Sequence, residues 1–434
     1  MKSKIKVLFM VAVICTIFSA CGKEEKEYND KVVKLEAYKS FANGLAVESE
    51  EVSEGSMLYY YDYKNQKEVY ACGQANCSHS TSEYKDGKIN CNAYIQYGAL
   101  YPFVYNDKLY YFVQPTNDNA VLWKSNTDGT EKEKVADTGI KLYEGAQCLL
   151  ANGKVYVASA LDKEISINEH SSYSSTVQSE VYEIDLSSRT VSKLTDLGEK
   201  PACDCTNINY FDGVLYLRYM ITEKTYKEGG FKSYDEYEKW LSSKQYSYGD
   251  DIKRLGKKIN TYTYNLKTGK MEKLKTGYKF IDKALGVDKE IKDYDYFYVI
   301  YADTEKIYYI DPTSTEYIIS CYNLKTKQTK DVFKGDQICY SYKNKKIYLS
   351  VTEKEQSDTK PSIKTNFKVK PKYYIYDIEK EKLIQQNYGE DGKFYYVIDE
   401  NQDGLLAYET DFNENYLFID EHRFTEISKD QVTE

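Results

Sequence analysis

Three cysteines and a histidine stand close together as Cys72-x4-Cys77-x-His79-x11-Cys91. Three thiolates and an imidazole are the ligand set of a closed tetrahedral zinc site. The first spacing is at the upper end of the usual range, and the single residue between Cys77 and His79 is tighter than usual. A disulfide is the rival reading, because exported thiols oxidise. A closed Cys3His set leaves no coordination position for a substrate, so both readings are structural rather than catalytic. Cys203-Asp204-Cys205 is too short to bridge internally without strain. These two are expected to form a disulfide with a partner elsewhere or to join a metal site. Cys148, Cys321 and Cys339 lie in apolar, strand-like runs and read as buried small hydrophobes. His170 and His422 have no neighbouring constellation and read as surface residues.

Other chemistry is sparse. The chain has 3 His, which leaves little room for histidine-based catalysis. It has no Gly-rich phosphate loop, no G-x-S-x-G elbow and no H-E-x-x-H. No carboxylate pair stands out for glycoside cleavage, and acidic residues in turns are ordinarily solvated turn formers. Sialidase-type Asp boxes and the WD and kelch signatures are absent, and 2 Trp are too few for quinoprotein docking motifs. No catalytic residue is assigned.

The elements that must position the Cys/His group form a repeat. One phrase recurs as a turn followed by an alternating, Tyr-rich run: NDKLYYFV (106–113), NGKVYVAS (152–159), FDGVLYLR (211–218), DTEKIYYI (303–310), KNKKIYLS (343–350) and, weakly, NQDGLLAY (401–408). A second phrase, strand–polar turn–strand, follows: LWKSNTDGTEKEKV (122–135), VYEIDLSSRTVSKL (181–194), TYTYNLKTGKMEKL (261–274), IISCYNLKTKQTKDV (318–332) and YYIYDIEKEKLIQQ (373–386). LYYYDYKNQKEVY (58–70) is the N-terminal copy, and YLFIDEHRFTEIS (416–428) is a degenerate C-terminal one. Each repeat is therefore two hairpins, or four antiparallel strands. Asn152-Gly153, Asp128-Gly129 and Thr268-Gly269 supply the positive φ that tight hairpins need. Repeated four-stranded units specify an all-β fold, a β-propeller. Seven copies of the second phrase favour seven blades; six follow if the terminal pieces share one. Terminal strands are expected to complete a shared blade.

Phrases such as LWKSNTDGTEKEKVAD resemble the blades of YWTD-like and TolB-like propellers of exported bacterial proteins. The stretch CGQANCSHSTSEYKDGKINCNAY resembles a Cys-x4-Cys-x-His…Cys-x-Ala-Tyr element of Tyr- and Lys-rich lipoproteins from anaerobic Firmicutes. The resemblance implies a fold and a location and no activity.

Within each unit, strands are lettered A to D from inside to outside. The A–B and C–D turns are short. The long segments, 73–98, 160–178, 196–206, 221–257, 276–295 and 352–370, fall in B–C loops or D-to-A connections, which share one end of the blades. Long loops on a rigid scaffold carry function disproportionately. Ser233-Tyr-Asp-Glu236 matches a capping box, so 234–244 is predicted as a short amphipathic helix on that face. Trp240 either packs this helix down or walls a ligand groove; packing is favoured, since so short a helix needs tertiary support.

Lys2, Lys4 and Lys6, the apolar run 7–18 and Ser19-Ala20-Cys21 form a secretory leader ending in a lipobox-like sequence. Residues 1–20 are read as signal peptide, Cys21 as the lipidation site, 21–30 as a tether and 31–434 as the propeller. Without residues 1–20 the chain has 56 Lys+Arg against 68 Asp+Glu, a net charge of −12. That balance argues against nucleic acid as a partner and against holding an anionic bilayer by charge alone. The expectation is a cell-surface lipoprotein, anchored to the outer face of the cytoplasmic membrane, that binds a peptide, glycan or partner protein without catalysis. The alternative is an extracellular polysaccharide hydrolase or lyase.

Overall fold

In a computed structural model the described residues are 32–420 except 43–44, 53, 63–66, 81–88, 117, 143–144, 169–170, 199, 244–247, 278–285, 288, 291–296, 312–316, 336, 353–371, 387–394, 402–403 and 410–415. The leader, Cys21 and the tether lie outside them. Among the described residues no helix is long and apolar enough to cross a membrane.

The strands form a β-propeller of antiparallel sheets, grouped as units 1 to 7: 39–96, 100–137, 147–195, 202–273, 298–335, 337–386 and 395–420. Units 2 to 6 each have four strands in A–B–C–D order, unit 1 follows the same order with two short strands on the outer side of its strand C, and unit 7 shows three among the described residues. The inner strand of unit 7 (Tyr395–Asn401) touches that of unit 6 (Gln337–Lys343) and that of unit 1 (Lys39–Ala42), which closes the ring.

Each core lies between two units. Leu150, Val155 and Val157 of unit 3 pack with Tyr101, Phe103 and Leu122 of unit 2. Leu149, Tyr156 and Ala158 of unit 3 pack with Ile208, Leu215 and Leu217 of unit 4. Successive residues of one strand thus feed opposite cores, as the period of two requires.

Two turn types set the register. The A–B turns at Asn106-Asp107, Asn152-Gly153, Asp212-Gly213 and Asn344-Lys345 have positive φ at both central residues. They join directly paired neighbours such as Ala151 and Lys154. That is the two-residue hairpin turn whose twist matches the strands. The C–D turns open on Asp or Asn. Asp185 Oδ1 accepts the amides of Ser187 and Ser188, both at 2.9 Å. Asn265 and Asn323 accept the amides two and three residues on in the same way.

Several expectations change. The strand Val33–Leu35 does not complete the last unit. It pairs with the inner strand of unit 3 (Val33 with Leu150) and with that of unit 1 (Leu35 with Ser40). Val33 and Leu35 point into the core while their backbone covers two otherwise open edges. The segment 160–178 is not an irregular loop. Strands B and C of unit 3 extend through it as Lys154–Asn168 and Ser171–Asp185, a ladder longer than a blade needs. The segment 196–206 is partly strand, since the inner strand of unit 4 starts at Ala202.

At the end carrying the A–B turns, Phe211, Tyr301 and Tyr342 from the inner strands of units 4, 5 and 6 meet. Their ring centroids are 5.4, 5.1 and 6.0 Å apart.

Asp185 provides a pH test of the C–D turns. Hydrogen bonds from the Ser188 amide and the Ser187 hydroxyl hold it down to about 2, below an unfolded value of about 3.9. Its contribution is present above the unfolded value and is lost as pH falls toward 2. Asp185→Asn keeps the acceptor and does not titrate. Thermal melts should show the wild-type Tm falling relative to Asp185→Asn between about pH 4 and pH 2; a constant difference would remove Asp185 from the acid response.

Candidate metal centre

Unit 1 has an interrupted outer strand. Its strand C, Gly55–Asp62, pairs with Lys67–Tyr70 and then with Tyr94–Gln96. Leu58 serves both pieces. Its carbonyl accepts the Ala71 amide at 2.9 Å, and its own amide donates to Ala93 at 2.9 Å. The chain leaves the sheet after Ala71 and returns at Ala93. Cys72 and Cys91 therefore stand at the neck of an excursion.

The excursion brings the ligands together. The Sγ atoms of Cys72, Cys77 and Cys91 and a ring nitrogen of His79 lie within 4.8 Å of one another. His79 Nδ1 is 3.4 Å from Cys91 Sγ. Turns supply the folding: the Cys77 amide donates to Gln74 O, Tyr94 to Cys91 O, and Asn76 and His79 take positive φ of 62° and 51°. The His79 ring stacks on Tyr70 at 4.7 Å. Cys91 is buried, and the other three are half-buried.

Sequence analysis placed these residues on the insertion-bearing end. The structure corrects this: the excursion leaves from within an outer strand and packs on the C–D turn of unit 2. Gly73 donates to Asp128 O at 2.9 Å. A Cβ on Gly129 would come within 2.2 Å of Ala71 O and 2.6 Å of Asn92 O, so this glycine sits between the two sides of the neck. Gln74 Nε2 donates to Asn92 Oδ1 at 3.1 Å across it. Asp128, Gly129 and Asn92 carried no sequence signal beyond turn propensity.

The two thiols at the neck shift in opposite directions. Burial pushes the Cys72 thiol up, but the amides of Gln74 and Asn92, with the neighbouring thiols, outweigh it, and the net shift is down. Burial pushes Cys91 up to about 12, against the amide of Ala93. Lys132, an exposed residue of unit 2, reaches in to donate to Tyr94 O at 2.8 Å. Loss of solvent around its ammonium lowers its pKa, and charge on Cys91 and Cys72 opposes that. The donor set, two half-exposed thiols, one buried thiol and an imidazole, can hold a metal ion.

Cys203 and Cys205 do not join the group. Both lie on the inner strand of unit 4, buried with free thiols in the core against unit 3. Strand alternation turns the two side chains into that one core. Cys148 is a free, buried thiol, as its apolar run suggested.

The B–C insertion of unit 4 carries two helices. The first, α1, spans Tyr234–Leu241 and ends three residues before the predicted boundary. Ser233 Oγ accepts the Glu236 amide at 3.2 Å. Glu236 reaches back to the Lys232 amide rather than to that of Ser233. The second, α2 (Tyr248–Leu255), was not foreseen. Its acidic first turn, basic last turn and Gly256 at φ 65° were readable signals. Trp240 lies against Phe231 (5.1 Å), Tyr237 (6.1 Å) and the Arg254 guanidinium (5.2 Å). Its ring holds the two helices together.

No family model matches the chain, and no curated protein does. Among solved structures, the acylaminoacyl peptidase of Pyrococcus horikoshii is similar at 12% identity and a TM-score of 0.46, over 90% of this chain and 52% of that one. The chain thus spans about half the length of that enzyme. The β-propeller domain of the Trilobed protease from Pyrococcus furiosus gives 11% identity and a TM-score of 0.44, over 90% and 97% of the two chains. An oligogalacturonate lyase in complex with manganese gives 9% and 0.41, over 93% and 92%. The propeller assignment rests on the sheet topology described above.

Gly129 tests the seam between the excursion and unit 2. Gly129→Ala combines a left-handed φ, costing about 1–2 kcal/mol, with a clash against two backbone carbonyls. Urea unfolding should show a loss of about 2 kcal/mol or more; Gly139→Ala, with positive φ but open space, should lose less.

Proposed function

We propose that the protein is a lipid-anchored, cell-surface propeller that binds a peptide, a glycan or a partner protein on the end bearing its insertions. The observation that carries this reading is the direction of the elaborations. The extended strands of unit 3, which run to Asn168 and from Ser171, and the α1–α2 insertion of unit 4 both belong to B–C connections. The short A–B and C–D turns occupy the opposite end. Two adjacent units thus build outward on one side of a rigid ring, the arrangement of a recognition surface. Cys21 is the proposed anchor. The Cys/His group is read as a structural zinc site, because its four ligands leave no position open for a substrate.

Replacing residues 222–257 with Asn-Gly would join the paired Ile221 and Lys258 as a two-residue hairpin. On peptide and glycan arrays the intact chain should bind a defined set that this variant loses, with β-sheet circular dichroism retained. Shortening of an extracellular polysaccharide by the purified chain would favour the hydrolase or lyase reading instead. Cys21→Ser should move the protein from the membrane to the soluble fraction; retention after a salt wash would remove the lipid anchor.

A further inference from the structure

We infer that a single zinc ion on Cys72, Cys77, His79 and Cys91 is a crimp that holds the two halves of the interrupted outer strand of unit 1 in one register. The inference rests on reading this group as a metal site and adds what the metal does for the fold.

Geometry favours a metal over a disulfide. A tetrahedral zinc ion with Zn–S near 2.3 Å and Zn–N near 2.0–2.1 Å separates its ligand atoms by about 3.5–3.8 Å. His79 Nδ1 and Cys91 Sγ are 3.4 Å apart, and all four ligand atoms lie within 4.8 Å of one another. A disulfide needs two sulfurs and gives no reason for a third thiol and a ring nitrogen to converge. The stack on Tyr70 fixes the plane of the imidazole. His79 holds a left-handed φ of 51°, uncommon for a residue with a Cβ.

On binding, three thiol protons leave to solvent, and His79 gives its Nδ1 lone pair and keeps its proton on Nε2. Three thiolates around Zn2+ leave one net negative charge, and the Lys132 ammonium at Tyr94 O stands on the same neck.

The position gives the function. Within strand C, Leu58 spans the gap between the two strand pieces, bonded to Ala71 at the end of one and to Ala93 at the start of the other. Lys67–Tyr70 and Tyr94–Gln96 are short edge pieces, four and three residues long. Short edge strands are weak alone, and the excursion adds loop-closure entropy at their junction. A metal joining Cys72 to Cys91 closes that junction and makes the two pieces one strand.

The experiment uses the full chain, purified with thiols kept reduced and without chelator. Elemental analysis should find one zinc per chain, and cobalt(II) replacement should give the visible bands of a tetrahedral thiolate site. Cys77→Ser, at a half-exposed position, should lose the metal, whereas His79→Cys should retain it. Hydrogen exchange with and without bound zinc should show residues 58, 67–71 and 94–96 exchanging about tenfold faster without it, while unit 5 is unchanged. No stoichiometric metal, no cobalt spectrum and the mass of a disulfide would overturn the metal reading. Stoichiometric zinc with unchanged exchange in those segments would overturn the crimp and leave the metal reading standing.

Discussion

An inner or middle strand of the ring has to satisfy two cores at once. Adjacent sheets pack face to face, so neighbouring residues such as Leu149 and Leu150 are committed to different interfaces. A slip of one residue would exchange them and misplace every other side chain of the strand. Aromatic size suits the space between units, and tyrosine adds a hydroxyl at the margin. Tyr101 is fully buried and donates to Ala146 O at 3.0 Å, tying unit 2 to unit 3. Tyr210 accepts from Asn152 Nδ2, tying unit 4 to the A–B turn of unit 3. In these two places tyrosine does double duty, with an apolar body for the core and a polar tip for a neighbouring backbone or turn.

Much of the fold was legible because its register is set locally. Turn chemistry and alternation lie within about ten residues of each other, so the two repeated phrases marked the units from sequence alone. What escaped was set by distant partners. Val33–Leu35 is too short to announce itself, and it exists because the inner edges of units 1 and 3 offer it a ladder on each side. The arms of the unit 3 hairpin are polar and Ser-rich, so they show none of the apolar alternation that marked the other strands.

The candidate site divides in the same way. Its four ligands lie on one excursion, so spacing revealed them as a set. Their setting comes from unit 2, through Asp128, Gly129 and Lys132, and those residues are distinguishable only once the sheets are packed. Cys203 and Cys205 show the opposite limit. A Cys-x-Cys spacing invites a chemical reading, but on a strand it places both thiols on one face, and here that face is core. Thiol spacing therefore means different things on a loop and on a strand.

The break in unit 1 falls in an outer strand, and that choice has a mechanical consequence. An inner or middle strand is flanked by neighbours on both sides or packed at the hub, so an inserted segment there would sever contacts in two directions. The outer strand pairs on one side only, and the other side faces away from its own sheet. An insertion at that margin interrupts one ladder and leaves the ring's closure to the inner strands. The outer rim is therefore a second place, besides the loops, where such a ring can accept new sequence and turn it into a separate small element. Here that element carries its own Cys/His group.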